Sequence, residues 1–150
     1  DGRPEYMLSY VSDSHGEGDV AAEEQVDLIT LDEYCDRHGM TQVDFIKCDT
    51  EGHEGAVFRG ATRLLERAHP TIYCEINAKF EERGEWRSDD LFEFLGARGY
   101  EAFLADDTRQ SLVRVGGYER DSDYFFIHED RLPLAALRIN FSGGTPPSFA

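Results

Sequence analysis

Lysine is nearly absent from this chain of 150 residues: Lys47 and Lys79 are the only two, and every other basic side chain is arginine. Cations are scarce altogether, with 15 basic residues against 31 acidic ones and a formal net charge of −16. Such a surface lacks the basic stripe that phosphate backbones require, which argues against nucleic acid as a partner. It argues equally against docking on anionic lipid. Long apolar runs are also missing, and no segment has the length that spans a bilayer as a helix. Cysteine is sparse. Cys35, Cys48 and Cys74 follow no C-x-x-C spacing, and an odd number without a framework points to free thiols in a reducing, cytoplasmic compartment. Cys48 and Cys74 fall within apolar runs and are expected to act as small buried hydrophobes.

Enough apolar material remains for one core: 40% of residues are hydrophobic and 12% aromatic, which suits a single domain at this length. Tyr6 to Ser12 reads as a short strand, and Asp13 to Glu24 as a polar, Gly-containing loop. Val26 to Thr30 is extended. Thr30 and Glu33 form the Thr-x-x-Glu capping box of a helix running to about His38, with Gly39 as its stop. Val43 to Asp49 follows as a near-continuous apolar strand, the pattern of a parallel strand buried on both faces. Val57, Ala61, Leu64, Leu65 and Ala68 make the inner stripe of one helix from Gly55 to Ala68. Pro70 ends it, and Thr71 to Ile76 is the second parallel strand, completing a βαβ unit. Ser88 caps a further helix whose buried side carries Leu91, Phe92, Phe94 and Leu95. Tyr100–Ala105, Ser111–Val115 and Ser122–His128 read as strands. Residues 1–130 form the domain portion, and residues 131–150 a terminal arm or linker.

The most informative stretch is Val43-Asp-Phe-Ile-Lys-Cys-Asp-Thr-Glu-Gly-His-Glu54. It sets charged groups at the carboxyl end of a buried strand, the edge where open α/β sheets bind ligands. The same carboxylates would also suit the N-terminus of the helix that follows. Lys47 and Asp49, two apart, share one side of the strand. A buried Lys47 needs a carboxylate partner, for which Asp49, Glu75 and Asp32 are candidates, or a long escape to solvent. Asp32 itself reads as a first-turn acid of its own helix.

Thr30-Leu-Asp-Glu-Tyr34, the stretch from Val43 to Glu54, Gly60-Ala61 and Pro70-Thr-Ile-Tyr-Cys-Glu75 together resemble the FkbM family of S-adenosylmethionine-dependent methyltransferases. The agreement is close over residues 26 to 77 and loose as far as Tyr100. Several spaced elements in order make it far more specific than a lone Gly-rich match. The resemblance implies an α/β fold: the C-terminal portion of a Rossmann-like methyltransferase, with parallel strands and an antiparallel C-terminal strand pair. It implies S-adenosylmethionine as cofactor and methyl transfer to a hydroxyl of a sugar, lipid or polyketide-like acceptor. It places Asp49 at the cleft, where a carboxylate can accept the acceptor's proton or orient its hydroxyl. Glu51 and His53 join Asp49 as catalytic candidates, and Glu54 and Glu75 are candidates for holding substrate. Asn77 departs from the family, which often has His or another polar group there.

The family pattern also calls for an earlier strand ending in an acidic, Gly-rich loop. No segment before residue 43 has that form; Gly16-Glu-Gly18 is the nearest cluster. The chain therefore reads as the C-terminal part of a longer enzyme, with no cofactor-binding residues assignable. Alone it is expected to bind S-adenosylmethionine weakly or not at all. The expected partner is a small hydroxyl-bearing acceptor, and an unpaired edge of the central strand invites self-association. Two other readings remain: a non-catalytic module of the same fold, and a metal-dependent hydrolase using the cluster from Asp49 to Glu54. That cluster lacks a recognised metal spacing, and no metal is expected there.

Overall fold

Thr30 opens the first helix: its Oγ1 accepts the Glu33 N–H at 3.1 Å. Only this half of the capping box forms, because the Glu33 carboxylate turns to Arg37 one turn on, at 3.0 Å. Helix α1 (Leu31–Arg37) ends at His38, and Gly39 takes the left-handed φ of +63°. These features belong to a computed structural model that describes residues 27–83, 86–106, 108, 110–133 and 140–142. The strand expected over Tyr6–Ser12 and the loop after it lie outside the described residues.

Strand β1 is Phe45–Cys48. The single helix expected after it is two, α2 (Glu54–Arg59) and α3 (Thr62–Ala68). The break comes from α1. Gly60 lies so close to Thr30 that an added Cβ would sit 3.1 Å from the Thr30 side chain. The Gly60 carbonyl accepts the Asp32 N–H at 2.9 Å. The Asp32 carboxylate in turn accepts the Arg63 N–H at 3.0 Å and the Leu64 N–H at 2.8 Å. These are first-turn donors of α3, with no partner inside their own helix. Asp32 thus caps a different helix from the one it sits on, and those bonds make its burial tolerable.

His69 closes α3 in the left-handed region, with φ 48° and ψ 51°, and β2 (Thr71–Ile76) follows. A 3-10 segment, η1 (Ala78–Arg83), leads to α4 (Ser88–Gly96). Arg87, not Ser88, stands at the N-cap: the Asp90 carboxylate accepts the Arg87 N–H at 2.9 Å. Ser88 instead donates its N–H and Oγ–H to Glu81 Oε1, at 2.8 and 2.6 Å, tying α4 to η1. Strands β3 (Tyr100–Asp106), β4 (Ser111–Val115) and β5 (Ser122–His128) precede a short turn, η2 (Glu129–Arg131). Within the stretch expected to be an irregular arm, β6 (Asn140–Ser142) adds to the sheet beside β4.

The strands form one sheet in the order β1-β2-β5-β3-β4-β6. β1 and β2 are parallel, as the βαβ reading requires. β5 lies antiparallel between β2 and β3, and β3 and β4 form an antiparallel pair. This mixed α/β sheet is compatible with a methyltransferase-like fold.

One sheet face carries Cys48, Ile72, Cys74, Ile76, Ala102, Leu104, Tyr124 and Phe126, packed under Phe58, Leu65, Leu91 and Leu95 of the helices. Each fully buried Leu, Ile or Phe there contributes about 1.5–3 kcal/mol. The other face holds a smaller cluster of Phe103, Leu112, Ile127 and Leu132. β1 is not buried on both faces as its composition suggested. Ile46 packs toward α1 and α3. Phe45, on the opposite side, is 54% exposed, and Lys47 is exposed as well. Among the described residues β1 is an edge strand, paired only with β2.

Candidate functional site

The parallel strands β1 and β2 end side by side, with Cys48 level with Cys74. Both thiols are buried beneath the site. Asp49, just past β1, and Glu75, the last residue but one of β2, line one cleft together with Glu51, Gly52, Glu54, Asn77 and Phe80. Four of the five residues singled out in the sequence therefore meet at the carboxyl edge of the parallel strands. His53 does not line the cleft. It occupies the N-cap of α2 without a side-chain capping bond, and its buried Nδ1 meets no hydrogen-bond partner among the described residues.

The loop between β1 and α2 is folded around Glu54. Its Oε1 accepts the Thr50 N–H at 3.0 Å, the Thr50 hydroxyl at 2.9 Å and the Gly52 N–H at 3.3 Å. That reaching back turns the loop tightly enough to put Glu51 at φ 55° and Gly52 at φ +106°. Gly52 also passes against η1: an added Cβ would lie 2.2 Å from the Phe80 carbonyl oxygen. Glycine alone satisfies both the angle and the space. Gly55 is confined in the same way by Trp86, whose ring atoms would lie 2.7 Å from an added Cβ.

Asp49 and Lys47 meet as their spacing predicts, Oδ2 to Nζ at 2.7 Å. The pair is exposed rather than buried, so Lys47 holds Asp49 in place without being trapped itself. This bond raises the Lys47 pKa above its ordinary value. The Glu75 carboxyl is also raised, first by partial loss of hydration and then by the negative charge of Asp49. Asp123 of β5, directly across from Glu75, adds to the effect. The nearby Asp123 carboxylate is also the main cause of the raised Tyr73 pKa.

Asp123, Phe80 and the wall formed by η1 were not evident from sequence. Asp123 is brought in by an antiparallel pairing across nearly fifty residues of chain, for which local spacing carries no signal. Phe80 had one available sign, an aromatic side chain alone in a polar stretch after β2. The wall is held from outside: Asp121 Oδ1 accepts the Ala78 N–H at 2.9 Å and the Tyr118 hydroxyl at 2.6 Å. That bond to Asp121 pushes the Tyr118 phenol up to about 12.

The arrangement gathers carboxylates on one rim, with Lys47 paired to the first of them. It can attract a cationic group, accept protons and orient hydroxyls. The grouping of histidines and a carboxylate that comes within ligand distance, among the described residues, is elsewhere: His69, His128 and Asp130, at the other end of the strands. Among the described residues no helix is long and apolar enough to cross a membrane.

A family model described as "Methyltransferase FkbM domain" matches residues 2–102. Neither the curated proteins nor the solved structures give a significant match.

Proposed function

This chain belongs to the FkbM methyltransferase family, and from that premise we propose that it carries the acceptor side of an S-adenosylmethionine-dependent O-methyltransferase with a Rossmann-like sheet. The acceptor is a hydroxyl group on a sugar, lipid or polyketide-like molecule. The observation that supports this most directly is the placement of Asp49 and Glu75 together at the carboxyl ends of the two parallel strands. Ligands of open α/β sheets occupy that edge.

S-adenosylmethionine, when bound, supplies a methyl group made electrophilic by a positively charged sulfur. A rim of carboxylates fits that charge, and Glu51 and Glu75 are the residues proposed to face it. In this reading Lys47 holds Oδ2 of Asp49 and so fixes the carboxylate plane. Oδ1 is then the oxygen that accepts the acceptor hydroxyl's hydrogen bond and would take its proton as the methyl group passes from sulfur to the acceptor oxygen. Orientation and proton removal together are this chain's contribution. Glu75, with its raised pKa, keeps a protonated fraction to higher pH than an ordinary carboxylate. Protonated, it can donate a hydrogen bond to the acceptor; ionised, it can accept one. Glu54 shapes the loop through Oε1, so an acceptor contact from this residue falls to Oε2. His53 is proposed as the reserve base, reached only if the loop opens.

The test is transfer of labelled methyl from S-adenosylmethionine to a panel of hydroxyl-bearing acceptors by the enzyme containing this chain. Asp49→Asn is expected to lower turnover by about 10²-fold or more, with little change in acceptor affinity. Turnover near the native rate would remove Asp49 from the mechanism and shift attention to Glu51.

A further inference from the structure

At the end of the sheet away from the cleft, two histidines stack face to face. His69 follows α3 and His128 ends β5; their ring centroids are 3.5 Å apart and their planes 8° from parallel. Asp130 serves both. Its Oδ2 lies 3.0 Å from His69 Nδ1, and its backbone N–H donates to His128 Nδ1 at 3.2 Å. Parallel rings send their nitrogen lone pairs side by side, whereas a chelated metal needs them to converge on one point about 2.0–2.1 Å away. The Nδ1 of His128 is already an acceptor for the chain. The trio is therefore built to respond to protons rather than to hold a cation.

What the trio fastens is the segment Glu129–Leu132. The Glu129 N–H donates to the Gly99 carbonyl at 2.9 Å. Arg131 reaches the Ala68 carbonyl at 2.9 Å and Asp44 at 3.3 Å, joining this segment to α3 and to the approach of β1. Leu132 is 7% exposed and covers Phe103, Leu112 and Ile127 on the sheet face that the four α-helices leave uncovered. Among the described residues the segment hangs on few bonds, and the one to His128 requires an unprotonated Nδ1.

We infer that His69, His128 and Asp130 form a proton-operated clasp, which holds Glu129–Leu132 against the sheet near neutral pH and releases it in mild acid. A proton on His128 Nδ1 removes the acceptor for the Asp130 N–H. It also sets an imidazolium against the stacked His69 ring. The groups facing His128 act in both directions, and Asp130 Oδ2, 3.7 Å from His128 Nδ1, is the carboxylate that favours a proton there. His69 faces it from the turn before β2. The neutral phenol of Tyr100 stands edge-on from β3, at 5.2 Å. Glu129 and Asp130 come from the segment itself, with Arg131 turned away to Ala68 and Asp44. Burial first, and His69 second, push the His128 pKa below its ordinary value, while Asp130, Glu129 and a hydrogen bond to the Arg98 backbone oppose the shift without reversing it. The folded state then holds fewer protons than the unfolded chain in this range. The clasp's stabilisation is complete above about pH 6.5 and is lost as pH falls through the lowered value.

Hydrogen exchange of the 150-residue protein tests the clasp, followed from about pH 7.5 to about pH 5 and corrected for the intrinsic pH dependence of exchange. Protection over residues 128–133 is expected to fall at least tenfold, while β2 and α3 stay protected. His128→Asn keeps an acceptor near the Nδ1 position and cannot titrate, so its profile should be flat. His69→Phe keeps the stack without the charge, so His128 should protonate at higher pH and less protection should be lost. Unchanged protection across the range in the native protein overturns the proposal, as does an equal loss in His128→Asn. If His128→Asn does not fold, NMR titration of native His128 decides. A midpoint at or above the ordinary histidine value sinks the clasp, and a lower one supports it.

Discussion

Glu54 shows how one side chain can be read correctly in place and incompletely in role. Its position at the start of a helix beside the strand end was legible in the spacing. Its three hydrogen bonds back to Thr50 and Gly52 were not, because they depend on the loop adopting left-handed angles at Glu51 and Gly52. Gly52 is the residue on which that loop turns. Gly52→Ala should destabilise the protein by about 2 kcal/mol or more, through both the strained φ and the Phe80 carbonyl in the way, as measured by urea denaturation. A loss no larger than that of an ordinary surface substitution would mean the loop has another conformation. The sequence allowed a buried Lys47 held by a carboxylate, whose removal would disturb folding. The structure exposes it, so Lys47→Met should leave the denaturation midpoint nearly unchanged while lowering methyl transfer by freeing Asp49 to rotate. Stability and turnover falling together would contradict that separation.

Among the elements, those specified by neighbours in sequence were the ones legible in advance. Thr30 capping α1, Gly39 ending it, Pro70 preceding β2 and the alternating burial of Ile72, Cys74 and Ile76 are all local patterns. The break between α2 and α3 is not local. It needs Thr30 pressed on Gly60 and the Asp32 carboxylate on two N–H groups about thirty residues away. Hydrophobic spacing through Val57, Ala61 and Leu65 continues across the break, so periodicity alone merges the two helices. Asp32→Ala should cost about 1–2 kcal/mol in chemical denaturation, the value of a helix cap, and should loosen α3 more than α1 in hydrogen exchange. Equal loosening of both helices would place the role of Asp32 within its own element. The depth of β1 was misjudged for a related reason. An apolar run gives burial on average, but whether a strand is central or at an edge is decided by what pairs beside it.

For the molecule as a whole, the excess of carboxylates is the dominant electrostatic fact. Moderate salt should raise the melting temperature, since about 0.1 M screens repulsion beyond roughly 10 Å. Glu75 adds a pH term of known sign. Its folded pKa is raised, so the folded state holds more protons than the unfolded chain, and stability falls as pH rises from the ordinary carboxylate value through the raised one. Glu75→Gln should therefore raise the melting temperature at pH 7 and lose that advantage by about pH 4. An equal gain at both values would show that the substitution acts by packing instead. The order of strands in the sheet also sets the order in which the molecule can be assembled. β2 emerges early but finds its second neighbour only in β5, where Ile72 pairs with Phe126. β3 and β4 can zip together as a hairpin, yet they have no seat beside β2 until β5 slides between. On the ribosome, the βαβ half must wait with an open backbone edge while some fifty further residues are synthesised. The pairing of β2 with β5 is the step expected to govern how fast this chain folds, and how prone it is to aggregate beforehand.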